Sequence, residues 1–444
     1  MIDRRGFLAA AGAVAASGAF AEDGRKENVV EKAAAKPPRD PWKGAGNDPI
    51  KVGEPCLQAP GETTIGVSWT VGGLAKGVVE YSENPDLSDS RIAKSGGYGL
   101  IPIDIAALQV RLENLKPATR YYYRTITTPF TDYRNIYDAK LGEPIVGNIH
   151  SFTTMGAALA GRFCEYSDTH AQWGVYEKAV AKAKSLSPEV IIWNGDATNT
   201  TQDKRTAVEI FLDPPIKSKE FAADIPVAFV SGNHDFRGSW ISRKEEVVMA
   251  RHPAERRGDQ WDLKWNFAFR LGELALIGMD TGEDKPDDHP KWFGLANYSP
   301  YRRAQAAWLK ETLAREDIRA AKYRVLFCHI PLYAAPDTWE YLQDGSQIDP
   351  ESYARWSREC NELWKPLLDE GDVRLVIAGH QHRFHVDDPE PGRAWTQIVG
   401  GGVGSDSQGV DKSTVIEGRL ESDGLRIRCH HLASGAVIFD RLII

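Results

Sequence analysis

Cysteine is scarce in this sequence, and its spacing does not suit a metal or redox motif. The 444 residues include five cysteines, and no two of them form a Cys-x-x-Cys pair. This argues against a zinc ribbon and against a thioredoxin-like redox site. Cys164 and Cys328 lie inside apolar runs, which predicts that both are buried as small hydrophobic side chains.

Positive charge and long apolar runs are also limited. Lys and Arg number 54 against 62 Asp and Glu, which gives a net charge of −8. Stable binding of nucleic acid needs a dense basic face, so we do not expect it. Beyond the N-terminus no apolar run reaches about 18 residues, so we expect no membrane span in the mature protein. The composition is otherwise that of a globular protein, and the length predicts two or three domains.

Residues 1–21 are typical of an export signal. Arg4 and Arg5 precede an Ala/Gly-rich stretch, and the stretch ends in the small-x-small pattern Ala19-Phe20-Ala21. The segment resembles a bacterial twin-arginine signal peptide. That resemblance implies export by the twin-arginine machinery, cleavage near Ala21, and a periplasmic or secreted location. The alternative is a membrane anchor, but the stretch is shorter than a span usually requires.

The next two segments predict a linker and an all-β domain. Residues 22–50 are charged and rich in Pro and Gly, as in a linker or surface strap. Between 51 and 155, short period-two stretches such as 64–70 and 77–81 alternate with turn signals, which predicts a β-sandwich. PCLQAPGETTIGVSWT, LENLKPATRYYYRT and HSFTT resemble the fibronectin type III-like N-terminal module of purple acid phosphatases. We expect this module to buttress a catalytic domain or shape its rim.

From about residue 160 to 444 the pattern changes to that of an α/β domain. Amphipathic stretches predict helices at 171–185, 299–314 and 351–370. Apolar runs predict strands at 188–193, 225–230, 274–279, 323–327 and 373–377. Short β-like runs return after 397.

Polar residues of metal-ligand type end most of these apolar runs. They are Asp168-Thr169-His170, Gly195-Asp196, Gly232-Asn233-His234-Asp235, His329 and Gly379-His380-Gln381-His382. Ligands of open α/β sheets bind outside the carboxyl ends of the strands, so these side chains should meet at one rim. The sequence therefore predicts a preformed metal site. Four histidines outside the motifs, His252, His289, His430 and His431, are predicted to be surface or loop residues, while His385 lines the site or finishes the turn.

This ordered motif set, which extends over about residues 160–400, resembles the calcineurin-like metallophosphoesterase superfamily. The resemblance implies a four-layer α/β domain with two facing β-sheets flanked by helices, following the all-β sandwich. It assigns one metal ion to Asp168, His170, Asp196 and His382. It assigns a second to Asp196, Asn233, His329 and His380, with Asp196 as the bridge. Mixed carboxylate, amide and imidazole donors suit Fe, Mn or Zn, and the sequence does not choose among them.

The function implied by the resemblance is that of an exported dimetal hydrolase of phosphoric esters. A metal-bridging hydroxide would attack phosphorus in line, and His234 would assist the leaving group. Asp235 would orient the His234 imidazole and hold it protonated, or would instead stabilise the turn. The substrate is expected to be a small-molecule phosphate ester, possibly a nucleotide.

The sequence departs from the purple enzymes at Asn199, which stands where their metal-binding tyrosine would be. We therefore expect no tyrosinate absorption band. The stretch Gly400-Gly401-Gly402-Val403-Gly404 resembles the turn that closes such sites, where close backbone approach favours glycine. Six aromatic residues are candidates for a wall near the pocket, or else pack loops onto the core: Trp240, Trp261, Trp292, Trp339, Tyr341 and Trp356.

Three alternatives to a general phosphomonoesterase stay open on the sequence. The first is a phosphodiesterase or nucleotidase. The second is a dimetal hydrolase of another bond, such as a phosphosulfate or a pyrophosphate. The third is a non-catalytic exported binding protein in which the β-sandwich performs the function.

Overall fold

The computed structural model describes residues 50–94, 100–218, 221–239, 248–250, 252, 256–257, 261–334, 357–404 and 409–443. All of them belong to one compact unit, Trp42–Ile444. The predicted export signal and nearly all of the predicted linker lie outside the described residues. Within those residues, no helix has both the length and the apolar character needed to cross a bilayer.

A nine-stranded sheet forms the first layer of strands. Numbered along the chain, its strands are β1 (Cys56–Gln58), β2 (Ile65–Thr70), β6 (Ala107–Leu112), β11 (Arg162–Tyr166), β12 (Val190–Asn194), β13 (Val227–Val230), β22 (Thr414–Glu421), β23 (Gly424–His431) and β24 (Val437–Ile443). Their order is β24-β23-β22-β11-β12-β13-β1-β2-β6. Strands β11, β12 and β13 are parallel, and β1 continues the sheet beside β13, with Gln58 opposite Val227. The N-terminal region is thus hydrogen-bonded directly to the α/β region.

A six-stranded sheet faces the first. Its strands are β16 (Phe267–Leu271), β17 (Leu274–Met279), β18 (Tyr323–Cys328), β19 (Val373–Ala378), β20 (His385–Asp387) and β21 (Thr396–Val399). They follow the order β16-β17-β18-β19-β21-β20. Because β17, β18, β19 and β21 are parallel, their carboxyl ends lie along one edge.

A seven-stranded sheet packs against β1, β2 and β6, the N-terminal strands of the first sheet. It contains β3 (Ala75–Ser82), β4 (Arg91–Ala93), β5 (Ile103–Asp104), β7 (Arg120–Asn135), β8 (Asp138–Leu141), β9 (Ile145–Val146) and β10 (His150–Thr153). Trp69 of β2 and Tyr121 of β7 are buried in the same apolar cluster, so β2 and β6 pack against this sheet as a sandwich. The described part of residues 51–155 is therefore built from strands, as predicted; its likeness to a fibronectin type III module stays a prediction. A small ribbon, β14 (Arg256–Arg257) with β15 (Trp261–Asp262), lies apart.

Helices cover the outer faces of the two facing sheets. They are α1 (Trp173–Ser185), α2 (Lys204–Phe211), α3 (Phe221–Asp224), α4 (Tyr298–Ala314), α5 (Glu316–Arg319) and α6 (Arg358–Glu370). Helices α1 and α4 lie where the sequence predicts them, and α6 fills the described part of the third predicted helix. The sequence did not predict α2. Its N-cap is Asp203, whose carboxylate accepts from the Thr206 N–H.

Alternation of side chains explains the four layers. In β12, Val190 and Ile192 point between the two sheets, whereas Ile191 and Trp193 point toward α1. Parallel strands buried on both faces read as continuous apolar runs, which is why β12 is apolar throughout. The second sheet alternates in the same way, and its outer face packs against α4, α5 and α6. The predicted arrangement of two facing sheets flanked by helices is confirmed. All five cysteines are buried and free, so the prediction for Cys164 and Cys328 is also confirmed.

Candidate metal centre

The predicted ligands follow the carboxyl ends of strands in both facing sheets. Asp168 and Asp196 follow β11 and β12, and Asn233 follows β13. From the opposite sheet, His329 directly follows β18, and the Gly-His-x-His segment follows β19. Parallel strands place these ends at one edge, so two sheets supply one site from opposite sides.

The backbone is strained at this edge. Asp168, His170, Asp196, His380 and His382 all have positive φ angles, between 46° and 70°. This left-handed conformation is uncommon for residues other than glycine and costs of the order of 1–3 kcal/mol each. Such strain persists only where the surroundings fix it; here the His170 N–H donates to the Asp196 carbonyl at 3.0 Å. The strained positions coincide with five of the predicted ligands.

One group of ligand atoms contains Asp168, His170, Asp196 and His382. All four residues offer atoms that lie within 4.8 Å of one another. The Nε2 atoms of His170 and His382 are 3.0 Å apart, and Asp168 Oδ1 lies 3.3 Å from His382 Nε2. These are the four residues that the motif resemblance assigned to one metal ion.

A second group contains Asp196, His329 and His380, again with ligand atoms within 4.8 Å of one another. His329 Nε2 lies 3.2 Å from Asp196 Oδ2. Asn233 joins this group, because its Oδ1 lies 3.0 Å from His380 Nδ1. Asp196 belongs to both groups, as expected of a bridging ligand. The structure therefore brings all seven predicted ligands together, while their role as ligands stays a prediction.

Hydrogen bonds orient three of the imidazoles toward the centre. The Nδ1 atom of each lies close to an oxygen: His170 to Asn199 Oδ1 at 2.9 Å, His329 to the Asn194 carbonyl at 2.7 Å, and His382 to the Val403 carbonyl at 2.8 Å. An oxygen acceptor places the ring proton on Nδ1, which leaves the Nε2 lone pair facing the centre. In the neutral form, this is the tautomer whose Nε2 can bind a metal ion.

Burial gives an independent test of whether a cation fits. Asp168, Asp196 and His329 are almost fully buried. His329 Nε2 lies between their two carboxylates, 3.2 Å from Asp196 Oδ2 and 3.8 Å from Asp168 Oδ1. Buried carboxylates beside imidazole lone pairs need positive charge, and a pair of divalent or mixed-valence cations would supply it. The mixed oxygen and nitrogen donors fit Fe, Mn or Zn.

The pKa values of the metal-free residues show the same need for charge. Burial by itself would raise the pKa of Asp196, but the His329 and His170 imidazoles outweigh it and hold this pKa well below its usual range. Burial would lower the pKa of His329, but the carboxylates of Asp196 and Asp168 raise it to about 10. In the metal-free site His329 therefore carries a proton in the place of a cation.

We expect metal binding to displace this proton, so affinity should rise with pH. With the His329 pKa at about 10, the proton is present at neutral pH and competes with the metal. Each displaced proton makes the apparent dissociation constant fall about tenfold per pH unit below that pKa. Titration with a competing chelator at three pH values, and calorimetry in two buffers of different ionisation enthalpy, measure this. An affinity that is the same at every pH would contradict the assignment of His329.

Glycine is required where backbone passes close to the ligands. Gly195 has a φ of +82°, and a Cβ there would lie 2.5 Å from His329 Nδ1. A Cβ at Gly402 would lie 2.2 Å from the Asp168 Cβ. The close approach predicted for the Gly-rich stretch is thus present at Gly402, which packs against a ligand.

His234 lies at the edge of the centre. Its backbone N–H donates to Asp196 Oδ1 at 2.8 Å, and its half-buried ring stands edge-on to the His170 ring with centroids 4.9 Å apart. Its Nε2 atom is 2.8 Å from Arg237 Nη1, and its Nδ1 atom is 3.3 Å from the Asn199 carbonyl. The position beside both ligand groups agrees with the predicted placement of His234 at the rim.

The role first predicted for Asp235 is wrong in its geometry. The buried carboxylate accepts from the backbone N–H groups of Gly232, Asp196 and Ala197, at 2.8 to 3.0 Å. Both oxygens are engaged by backbone, so the side chain is turned away from the His234 ring. Asp235 therefore stabilises the two ligand-bearing turns, which was the alternative interpretation of this residue.

Sequence reasoning missed Arg237 and its acidic partners. The Arg237 guanidinium makes two hydrogen bonds to the buried Glu283 carboxylate, at 2.6 and 2.9 Å, and contacts Asp284 at 3.1 Å. Arg237 lies three residues after His234, and this spacing only weakly indicates that Arg237 reaches the site. Glu283 is 46 residues further along the chain, and nothing in its local sequence announces the pairing. The sequence identified Asn199 only as the residue that replaces the tyrosine of the purple enzymes. In the structure its amide oxygen orients His170.

The prediction for histidines outside the motifs is wrong at two positions. His252 is buried with its ring 5.0 Å from that of Phe267, and His430 is buried with its Nε2 atom 3.0 Å from a Glu417 carboxylate oxygen. Both are core or sheet residues, whereas His289 and His431 are half-buried. Of the aromatic wall candidates, Trp240, Trp339, Tyr341 and Trp356 lie outside the described residues.

An α/β sandwich that gathers paired carboxylate and imidazole ligands at its strand ends has the architecture of a metallophosphoesterase. The chain belongs to the calcineurin-like phosphoesterase family, whose sequence profile matches residues 161–384, about half of its length. The family predicted from the motifs is therefore confirmed.

Curated relatives match about half of the chain. The serine/threonine-protein phosphatase CPPED1 of rat (Rattus norvegicus) is 21% identical over 218 residues, which are 48% of this chain and 61% of that protein. The human protein of the same name (Homo sapiens) is 22% identical over 210 residues, 47% of this chain and 58% of its own length. The chain thus spans about 60% of the length of the curated relatives that it matches.

Two solved structures resemble almost the whole described fold. Purple acid phosphatase PPD1 from yellow lupin (Lupinus luteus) seeds aligns with a TM-score of 0.59 and 14% identity, covering 89% of this chain and 74% of the lupin chain. A structure of PhoD aligns with a TM-score of 0.55 and 12% identity, covering 88% and 92%. At these identities the likeness concerns the fold, and it extends beyond the catalytic half into the N-terminal strands.

Proposed function

We propose that the protein is an exported, dimetal hydrolase of small-molecule phosphate esters. The observation that carries this proposal is the convergence of seven Asp, Asn and His side chains into two groups that share Asp196. Membership of the calcineurin-like phosphoesterase family supports the same reaction class. When bound, two metal ions would supply a hydroxide at neutral pH and charge stabilisation for the phosphoryl oxygens.

The protein residues contribute orientation and proton transfer. Arginine donates and does not accept, so the contact with Arg237 leaves the lone pair of His234 on Nε2 and its proton on Nδ1. To protonate a leaving group, His234 has to release Arg237 and take up a proton. An arriving phosphate dianion favours both steps, because it attracts the guanidinium and stabilises the imidazolium. His234 would then serve the leaving-group oxygen, and Arg237 would contact the phosphate.

Export and the N-terminal module complete the proposal. The twin arginines Arg4 and Arg5, followed by an Ala-rich stretch ending at Ala21, support twin-arginine export to the periplasm or beyond. The strands β1 to β10 form a sandwich-like region compatible with a fibronectin type III-like module. Since β1 pairs with β13, which precedes Asn233, this region braces one of the ligand-bearing strands.

Hydrolysis of a chromogenic phosphomonoester beside the matching diester tests the function. Residues 22–444 would be loaded with Mn, Fe or Zn and assayed with both esters, and with a pyrophosphate and a phosphosulfate. A metal-dependent rate on one of the esters is expected, and the ratio of the two rates separates monoesterase from diesterase. Two bound metals without turnover of either ester would contradict the proposal. Hydrolysis of the pyrophosphate or the phosphosulfate instead would show that the enzyme acts on another bond.

A further inference from the structure

An aromatic cavity lies beside the candidate metal centre. Its volume is about 290 Å³, close to the lower end of small-ligand sites, which range over roughly 300–1,000 Å³. Six aromatic side chains line it: Phe236, Trp261, Trp265, Trp292, Tyr298 and Tyr301. Trp261 and Trp292 were among the candidates for a wall near the pocket, and the structure places both in this one cavity.

Two indole groups of the cavity lack partners. The Nε1 atoms of Trp265 and Trp292 are buried and make no hydrogen bond. Trp265 is one of the largest fully buried side chains of the protein, so its N–H cannot turn to solvent. An unpaired buried donor is unfavourable, and an acceptor on a bound ligand would satisfy it. The cavity is therefore suited to a flat aromatic group that carries hydrogen-bond acceptors.

The loop after β17, which contains Gly282 and Glu283, contacts both the cavity lining and Arg237. Tyr298 packs so closely on this loop that a Cβ at Gly282 would lie 2.4 Å from its ring. The next residue, Glu283, binds Arg237 through its carboxylate, and Arg237 contacts His234 Nε2 at 2.8 Å. Phe236, between His234 and Arg237 in the chain, itself lines the cavity. The short segment 234–237 thus joins the rim of the candidate centre to the wall of the cavity.

Two exposed apolar side chains adjoin the cavity. Leu295 lines it and is 68% exposed, and the nearby Phe293 is 88% exposed. The charged side chains of the lining are Lys264, whose Nζ lies 5.4 Å from the centroid of the Trp265 ring, and the carboxylates Asp262 and Asp280.

We propose that this cavity binds the nucleobase of a nucleotide substrate whose phosphate is held at the metal centre. The inference rests on the proposed function for the phosphate end, and it adds the substrate class. The aromatic rings would stack on the base, and the two free indole N–H groups would donate to its ring nitrogens or carbonyl oxygens. Trp292 thus determines which leaving group the enzyme accepts.

Comparison of adenosine 5′-monophosphate with glycerol 2-phosphate tests the inference. In Trp292→Ala we expect the KM for the nucleotide to rise roughly 10- to 100-fold more than the KM for glycerol 2-phosphate, as for loss of one base-stacking ring. Trp292→Phe keeps a ring but removes the N–H donor. Its KM for the nucleotide should therefore lie between those of the wild type and Trp292→Ala. Tyr133→Ala, which removes a half-buried ring from β7, is the matched control and should change neither KM.

Binding of adenosine, which has no phosphate, separates the cavity from the reaction. Equilibrium dialysis of the full-length protein with adenosine should show saturable binding that Trp292→Ala loses and Tyr133→Ala keeps. Absence of adenosine binding, or equal effects of Trp292→Ala on both phosphates, would overturn the inference. If neither phosphate is hydrolysed but adenosine binds in this Trp292-dependent manner, the cavity assignment stands and the proposed hydrolase function falls.

Discussion

Replacing Asp196 by asparagine is expected to lower kcat/KM for phosphate ester hydrolysis about a thousandfold or more. Among the described residues, Asp196 is the carboxylate shared by both groups of candidate ligands. Its Oδ2 lies 3.5 Å from His170 Nε2 and 3.2 Å from His329 Nε2. An amide keeps the size of the side chain but removes its negative charge. Both cation positions therefore weaken at once.

Metal content and kinetics measured on the same samples check this expectation. Plasma mass spectrometry after loading with Mn, Zn or Fe should give fewer than two metals per chain for Asp196→Asn. The control is Asp138→Asn, an exposed carboxylate in β8, which should keep both metals and full activity. Circular dichroism of both variants shows whether the fold is intact. A folded Asp196→Asn variant with two metals and wild-type turnover would contradict the assignment of Asp196.

Much of the centre could be predicted because its geometry follows from strand direction. Each ligand motif comes directly after an apolar run, and the runs became the buried parallel strands β11, β12, β13, β18 and β19. Parallel strands place their carboxyl ends together, so a local pattern was enough to gather residues as distant in sequence as Asp168 and His382.

The contacts between loops could not be predicted in the same way. Arg237 and Glu283 meet because the loops after β13 and β17 lie side by side, and neither local sequence encodes that neighbour. The direction of the Asp235 carboxylate depends on three backbone N–H groups from two separate turns. A motif gives the residue type at a position, whereas the rotamer follows from the donors that the fold places around it.

The joining of the N-terminal strands to the α/β sheet was also hidden from the sequence. Strand β1 has only three residues, yet it pairs with β13 in parallel and with β2 in antiparallel register. Short strands carry too little periodicity to reveal their partner, and pairing between distant segments depends on the whole fold. The composition shift near residue 155 marks a change of architecture, but the first sheet runs across it.

Replacing His234 by alanine is expected to lower kcat by a factor of about 10² to 10⁴ while leaving two metals bound. The contact that His234 makes with Asp196 Oδ1 comes from its backbone N–H, which alanine retains. The imidazole, in contrast, faces Arg237 and the rim, and it meets a candidate ligand only by packing edge-on against the His170 ring. Metal analysis of the variant separates loss of proton transfer from loss of the centre. His150→Ala, a histidine of β10 outside the centre, serves as the control.

The size of the His234→Ala effect should depend on the leaving group. A nitrophenolate departs without a proton, whereas an alkoxide needs one, so a general acid matters most for alkyl esters. We therefore expect a loss near the upper end of the range for glycerol 2-phosphate and a clearly smaller loss for the nitrophenyl ester. An equal loss for both esters would show that His234 binds the phosphate and does not protonate the leaving oxygen. The difference between the two esters therefore measures how much proton donation to the leaving oxygen contributes to the rate.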